Sequence, residues 1–330
     1  MQKSKKFLKI FAVFIISFSL IITASAADSL IPLGHTAGIR LCSDGAIVID
    51  FSRDIENNPA RDAGLSPGDV ITSVDGHHIA SNTDLRNAIT KSDGNSVKVE
   101  YMRNGETKCA EIAPVKNKNG ESVIGIWVRD SIAGIGTLTY FDPETKTYGA
   151  LGHGISGHNG NQLIPTLRGE LTKSIVAGVR RGESGNPGEL VGEYDLDEKI
   201  ADIEKNTDGG IFGKVADDAE FNGMKSFPVA KNNEVRCGTA TIISNISGDK
   251  VEEFEVEIAH IFTDGENTKN MLIRVTDKNL LEKTGGIVRG MSGSPIVQNG
   301  KLVGAVTHVL VNDPTRGYGI FIENMLDAAG

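Results

Sequence analysis

Cysteine is scarce in this chain of 330 residues: Cys42, Cys109 and Cys237 are the only three. They stand far apart, so the sequence holds no CxxC redox pair and no zinc knuckle. The odd count leaves at least one thiol outside any intramolecular disulfide, and no structural disulfide is expected. Aromatic residues amount to 5%, with a single tryptophan. An excess of positive charge is missing too. Thirty-four Lys and Arg against 43 Asp and Glu leave a net charge of -9, which argues against nucleic acid as a partner because phosphate binding needs clustered cations. Long apolar runs are absent except at residues 10–22, so nothing further along could cross a bilayer.

That one run is informative. Lys3, Lys5, Lys6 and Lys9 precede it and Ala24-Ser25-Ala26 follows it, the charged, apolar and small-residue order of an export signal. Residues 1–27 are therefore expected to be a signal peptide or an N-terminal membrane anchor. The length suits two domains, and 39% hydrophobic residues allow a sizeable core. Thirty-nine glycines among many short Val/Ile/Thr runs point to turn-rich β structure.

Residues 30–115 form one expected unit. Pro59 to Ala63 suits a short helix that Gly64 can end in a left-handed cap. Asp75-Gly76 and Asn104-Gly105 are hairpin turns, and Asn82 or Thr83 can cap a helix with Leu85, Ala88 and Ile89 on its apolar side. Ala63-Gly64-Leu65-Ser66-Pro67-Gly68-Asp69-Val70-Ile71, followed by Val74-Asp75-Gly76, resembles the PDZ domains of bacterial envelope proteases. The resemblance implies a groove that takes a peptide terminus or extended segment as an added strand. Thr36, Ala37, Gly38 and Ile39 match the loop that cradles the carboxylate, with Gly38 allowing close backbone approach. Residues 116–120 are polar and aperiodic and read as a linker. From 121 to 330, short strands recur with turns between them.

The sharpest motif is Gly290-Met291-Ser292-Gly293-Ser294-Pro295, ahead of an Asn299-Gly300 hairpin. It resembles the nucleophile loop of trypsin-like serine proteases. A hydroxyl is a weak nucleophile that needs a base beside it and donors for the oxyanion. Ser292 takes the nucleophile's place, Ser294 is its rival, and the Gly290 and Ser292 amides are the oxyanion donors. The base precedes the serine in this order of residues. His153, at a glycine-broken strand end in Gly149-Ala150-Leu151-Gly152-His153-Gly154, fits best, with His158 as its rival. No Glu lies near this pair to make a zinc motif, and neither a metal nor an organic cofactor is expected. By the same likeness the substrate lies along Thr307, His308 and Val309.

Gly125-Ile126-Trp127-Val128-Arg129-Asp130, Ala133-Gly134-Ile135-Gly136-Thr137, Ala150-Leu151-Gly152-His153 and the serine loop together resemble the SpoIVB peptidases of endospore-forming bacteria. That resemblance implies a mainly β protein, a PDZ domain plus a chymotrypsin-like double β-barrel. It implies a serine endopeptidase that processes itself and cleaves a membrane-bound regulator of an intramembrane protease, in the space between the forespore membranes. It also places the third triad member on Asp277, while Asp202, Asp208, Asp217 and Asp218 stay open as alternatives. Met291 stands where trypsin-like zymogens carry an acidic residue, so their N-terminal activation switch is missing. An inactive PDZ adaptor is the alternative function.

Overall fold

The computed structural model describes residues 28–330 apart from 158–162, 165, 216 and 263–267. The expected export segment and His158 lie outside the described residues. The chain opens with β1 (Ser29–Pro32) and the sixteen-residue β2 (Thr36–Phe51). Next come α1 (Pro59–Asp62), the hairpin of β3 (Val70–Val74) and β4 (His77–His78), and α2 (Asn82–Lys91). A second hairpin joins β5 (Val97–Arg103) to β6 (Glu106–Ile112).

Local chemistry explains the joints of this first body. The Asn58 side chain accepts the Arg61 N–H at 3.1 Å and Pro59 fills the first turn of α1, while Gly64 leaves it at φ 88°. Asp75-Gly76 and Asn104-Gly105 supply the paired left-handed residues of tight hairpins, at φ 49°, 76°, 54° and 78°. The cap of α2 falls on Ser81, one residue before the expected position. Its Oγ accepts the Asp84 N–H at 3.1 Å and donates to the Asp84 carboxylate at 2.8 Å. Leu85 and Ile89 then face a core with Val48, Ile71, Val74, Val97 and Val99. Buried Asp69 takes two bonds from Arg103, at 2.6 and 2.7 Å, and locks the Pro67-Gly68 turn.

Past the short pair β7 (Val115–Lys116) and β8 (Ser122–Val123), β9 (Ile126–Asp142) runs for seventeen residues. It pairs antiparallel with β2 from Phe51↔Ile126 to Thr36↔Thr137, slipping register between Cys42 and Ile47, a stretch that contains Gly45. The two ends of this ribbon serve different cores. Ile126 and Val128 pack on the first body, whereas Ala37, Ile39 and Leu41 enter a second core with Leu138, Leu151, Leu171 and Ile211.

The second body continues with β10 (Thr147–Ala150), β11 (Thr166–Arg180), β12 (Glu189–Ile203), β13 (Lys205–Thr207), β14 (Gly210–Lys214) and β15 (Phe227–Pro228). Strands β14, β10, β9, β2, β11 and β12 lie side by side in that order. An Ala201–Val215 bridge brings β12 back beside the end of β14, so the sheet curls almost full circle. Both edges of β2 are consumed here: Gly38 faces Ile135 of β9 and Thr172 of β11. This corrects the expectation for Thr36, Ala37, Gly38 and Ile39, which form an interior barrel strand with no edge left for a peptide. Gly38 is small because a Cβ would meet Thr172 Oγ1 at 2.5 Å and Tyr194 Cβ at 2.7 Å.

The third body is a closed barrel, β16-β17-β18-β21-β20-β19. Its strands are β16 (Gly238–Ser247), β17 (Lys250–Ile261), β18 (Met271–Val275), β19 (Pro295–Gln298), β20 (Lys301–Leu310) and β21 (Asp313–Phe321). Helix α3 (Lys278–Thr284) follows β18, and α4 (Ile322–Ala329) ends the chain. Alternating Ile242, Phe254, Val256, Ile258, Ile273 and Ile296 fill the barrel. Leu30, Tyr140 and Phe212 pack with Leu302, Ile320 and Met325 in a seam between the two barrels. The molecule is thus mainly β, a PDZ-like body joined to two β-barrels by one shared ribbon.

Candidate active site

The serine loop runs from α3 into β19 and is shaped by glycine. Gly290 and Gly293 both sit at φ 97°, a region that favours glycine. A Cβ on Gly293 would collide with the Thr137 carbonyl and the Leu151 amide, so the loop lies flush against the other barrel. The Met291, Gly293 and Ser294 amides donate to the Val288, Val306 and Met291 carbonyls at 3.1, 2.7 and 3.0 Å. The Gly290 and Ser292 amides have no protein acceptor among the described residues, which leaves them available for an oxyanion.

The two serines separate by burial. Ser294 is fully buried and its Oγ bonds Ser244 Oγ at 3.0 Å. Ser292 is half-exposed, and its Oγ donates to the Thr307 carbonyl at 2.7 Å. Only Ser292 can meet a substrate without the barrel opening.

His153 comes from the opposite barrel and stands beside His308, the residue after Thr307 on β20. Strand β10 stops at Ala150 because Leu151 and Gly152 turn left-handed, at φ 69° and 68°. Such a conformation costs a leucine about 1–2 kcal/mol, and strain of this kind concentrates at functional sites. Gly152 packs on Thr307, where an added Cβ would lie 3.0 Å from Cγ2. His153 follows, half-buried, with its ring centroid 4.8 Å from that of His308. Its Nδ1 lies 2.9 Å from the Gly154 carbonyl. A carbonyl only accepts, so Nδ1 carries the proton and Nε2 keeps the lone pair a base needs. Burial lowers the imidazole pKa from its ordinary 6.5, and the bond to Gly154 partly offsets this. Asn206 clamps the segment after the histidine. Its Oδ1 accepts the Ile155 N–H at 2.8 Å, and its Nδ2 donates to the Ile155 and Ile164 carbonyls at 2.9 and 3.2 Å.

Thr307, His308 and Val309 lie on β20 beyond the stretch that β19 covers, with Thr307 buried and His308 exposed. Strand β19 covers one edge of β20 only as far as the Pro295↔Ala305 pair, and the serine loop bonds Val306. On the other edge β21 pairs at His308↔Tyr318 and Val309↔Gly317. Beyond Val306 the cleft-side edge of β20 carries no strand among the described residues, which is the opening an extended peptide needs.

Asp277 is not brought to this cluster. Its carboxylate caps α3, accepting the Leu280 N–H at 2.9 Å. The register places Leu272 beside Tyr318 and Tyr318 beside His308, so Asp277 lies five residues down the barrel, roughly 15 Å along the strand direction. The triad position expected for Asp277 is therefore corrected: the group bonded to His153 Nδ1 is a backbone carbonyl. Among the rivals, Asp202 pairs with Lys199 at 2.6 Å and Asp218 with Lys146 at 3.4 Å. Asn206 escaped the sequence reading because an isolated asparagine before a Gly-Gly turn reads as loop chemistry.

A PDZ-like body fused to a pair of β-barrels, with a glycine-shaped serine loop facing a histidine across the cleft, has the form of a PDZ-containing serine peptidase. Residues 120–326 match the model of SpoIVB peptidase S55 and residues 34–113 match that of the PDZ domain. The chain belongs to the SpoIVB peptidase S55 family. It is similar to the zinc metalloprotease RasP of Shouchella clausii, 40% identical over 77 residues that cover 23% of this chain and 17% of the relative. It also resembles a probable periplasmic serine endoprotease, DegP-like, of Halomonas elongata, 30% identical over 137 residues, 41% of this chain and 23% of the relative. The chain spans less than a quarter of the length of these curated relatives. Among solved structures, the PDZ domain of an SdrC-like protein from Listeria monocytogenes is 31% identical and covers 26% of this chain and 87% of its own, with a TM-score of 0.23. The Rv3671c protease of M. tuberculosis, in an inactive form, is 12% identical and covers 59% of this chain and 82% of its own, with a TM-score of 0.33.

Proposed function

We propose that this chain is an exported serine endopeptidase in which Ser292 is the nucleophile and His153 its base. The observation that carries the reading is the convergence of both side chains on the open edge of β20, beside two amides with no protein acceptor. Ser292 Oγ attacks the scissile carbonyl while His153 Nε2 takes its proton. The Gly290 and Ser292 amides hold the oxyanion, and the imidazolium returns the proton to the leaving amine. Water then hydrolyses the acyl-enzyme by the same base. The bond from Ser292 to the Thr307 carbonyl fits this sequence of events. A substrate strand pairing along Thr307 to Val309 offers its own N–H to that carbonyl and frees the hydroxyl for His153.

Membership of the family supports the finer reading: self-processing, and cleavage of a membrane-associated regulatory protein during sporulation, in the space between the forespore membranes. The lysine-flanked apolar segment at residues 10–22 supports export. Among the described residues no helix is long and apolar enough to cross a membrane. The match to the PDZ domain supports a peptide terminus or extended segment as a ligand of the PDZ-like body, bound elsewhere than at Thr36 to Ile39.

Labelling with a fluorophosphonate tests the chemistry. Wild type should label at Ser292, with Ser292→Ala and His153→Ala blank and Ser294→Ala still reactive. Labelling that persists in Ser292→Ala would overturn the assignment. Fragments released by wild type and absent with Ser292→Ala identify the substrate and any self-processing.

A further inference from the structure

We infer that Thr137 is the positioning residue that holds the serine loop and the histidine turn in catalytic register. The inference rests on the peptidase reading above. Thr137 is fully buried on β9, the strand shared by two bodies. Its Oγ1 donates to the Gly290 carbonyl at 2.7 Å, and its N–H donates to the Ser292 carbonyl at 3.0 Å. Its own carbonyl accepts the Leu151 N–H at 3.2 Å. One residue thus bonds both amino acids whose amides form the oxyanion site, and also the turn that projects His153.

The hydroxyl has a specific task here. Gly290 at φ 97° has no side chain to confine its backbone, and glycine visits several backbone wells at little cost. The direction of the Gly290 amide therefore has to be set from outside. The peptide plane that carries the Gly290 N–H is held at the Arg289 carbonyl by the Leu190 N–H at 2.8 Å, and the plane that carries the Ser292 N–H is held at the Met291 carbonyl by the Ser294 N–H at 3.0 Å. Thr137 holds the next plane after each donor, through the Gly290 and Ser292 carbonyls, so both residues are pinned on both sides. Oxyanion donors work because they are preorganised before charge develops. Strand propensity alone does not call for threonine here, since valine has nearly the same shape and an equal preference for sheets. Nearby Thr36, Thr139 and Thr172 have buried hydroxyls with no partner in the described structure. The Thr137 hydroxyl instead bridges 153 positions of sequence to the loop.

Thr137→Val removes the donor and keeps the volume. The measurement is the rate of fluorophosphonate labelling of the full chain as a function of probe concentration. In that reaction Ser292 Oγ bonds phosphorus, the P–F bond breaks, fluoride leaves and the hydroxyl proton passes to His153. A lost oxyanion donor costs about 10²–10³ in rate, and a donor that is only loosened should cost about tenfold or more. Thr137→Val is thus expected to lower the maximal labelling rate by that factor without changing the half-saturating concentration. Thr137→Ser should restore it. If Thr137→Val does not fold, as read by thermal melting, Thr137→Ser and Thr137→Ala carry the comparison, with Ser fast and Ala slow. A valine variant at the wild-type maximal rate, or a serine variant as slow as alanine, overturns the inference. Wild type that fails to label at all sinks the peptidase reading and this inference with it, a result distinct from a failure confined to Thr137.

Discussion

At the scale of single residues, Ser292 and Ser294 differ by two positions and by everything that matters chemically. Ser294→Ala removes a fully buried hydroxyl and leaves Ser244 without its partner, which should destabilise the fold by about 1–3 kcal/mol. Labelling at Ser292 should persist at temperatures where this variant is folded, and thermal melting with parallel labelling checks both halves. His153 makes a pH prediction. Its folded pKa lies below the ordinary value because burial disfavours the charged ring. The neutral base is then populated at neutral pH, and the acid limb of the kcat/KM profile should have its midpoint below pH 6.5. The same depression stabilises the fold above the unfolded value of 6.5, and this contribution is lost as pH falls through the folded pKa. A midpoint of the kcat/KM profile above 6.5 would contradict the assignment.

At the scale of elements, the most instructive residue is Asp277. Between a strand and a helix, Asp is a good N-cap, and the structure uses it that way. Asp277→Ala should therefore cost about 0.5–2 kcal/mol of stability, whereas Asp277→Asn, an equally good cap, should be nearly neutral. A triad aspartate behaves otherwise: its replacement by asparagine costs about 10⁴ in kcat through the wrong tautomer. Labelling rates of the two variants discriminate cap from triad in one experiment. Asn206 acts on the neighbouring element, tying β13 to the chain just after the histidine through three bonds. Asn206→Ala should slow labelling and shift its pH midpoint, because the Gly154 carbonyl that orients the imidazole loses its support. An unchanged pH midpoint would reduce Asn206 to a structural clamp.

At the scale of the whole molecule, the ribbon of β2 and β9 decides what can be separated from what. Sequence composition places a linker at 116–120 and suggests that the chain from about residue 119 could stand alone. The structure argues otherwise, because residues 30–42 supply the central strand of the first barrel and five of its core residues, Ile31, Leu33, Ala37, Ile39 and Leu41. A fragment of residues 119–330 should fail to give a cooperative melt, and a synthetic peptide of residues 28–45 should restore one. A stable fragment without the peptide would show that the barrel closes without β2. The ribbon also offers a physical route for control. Between the edge near α2, where Asn82 N–H bonds Asp130 at 3.0 Å, and Thr137, β9 runs about 23 Å without interruption. A ligand on the PDZ-like body could bias the serine loop only through such a shared element with differential affinity for two arrangements.

The sequence by itself determined what depends on neighbours a few residues away. The Asp75-Gly76, Asn104-Gly105 and Asn299-Gly300 turns, the Gly64 end of α1 and the Gly290-to-Pro295 loop are written in local backbone preferences. The proposal of His153 as the base also rests on a local pattern, because glycines around a strand end expose a ring and bend a chain. Only the tertiary structure decided which strands lie side by side, and with them the fate of Thr36 to Ile39. A glycine-rich apolar stretch reads alike as a ligand loop and as an interior strand until both of its edges are seen. The same holds for Asp277, whose identity suits a cap and a triad equally, and for Thr137, whose partner stands 153 residues away. Hydrogen bonds over such separations depend on how barrels dock against each other, and no short window of sequence records that.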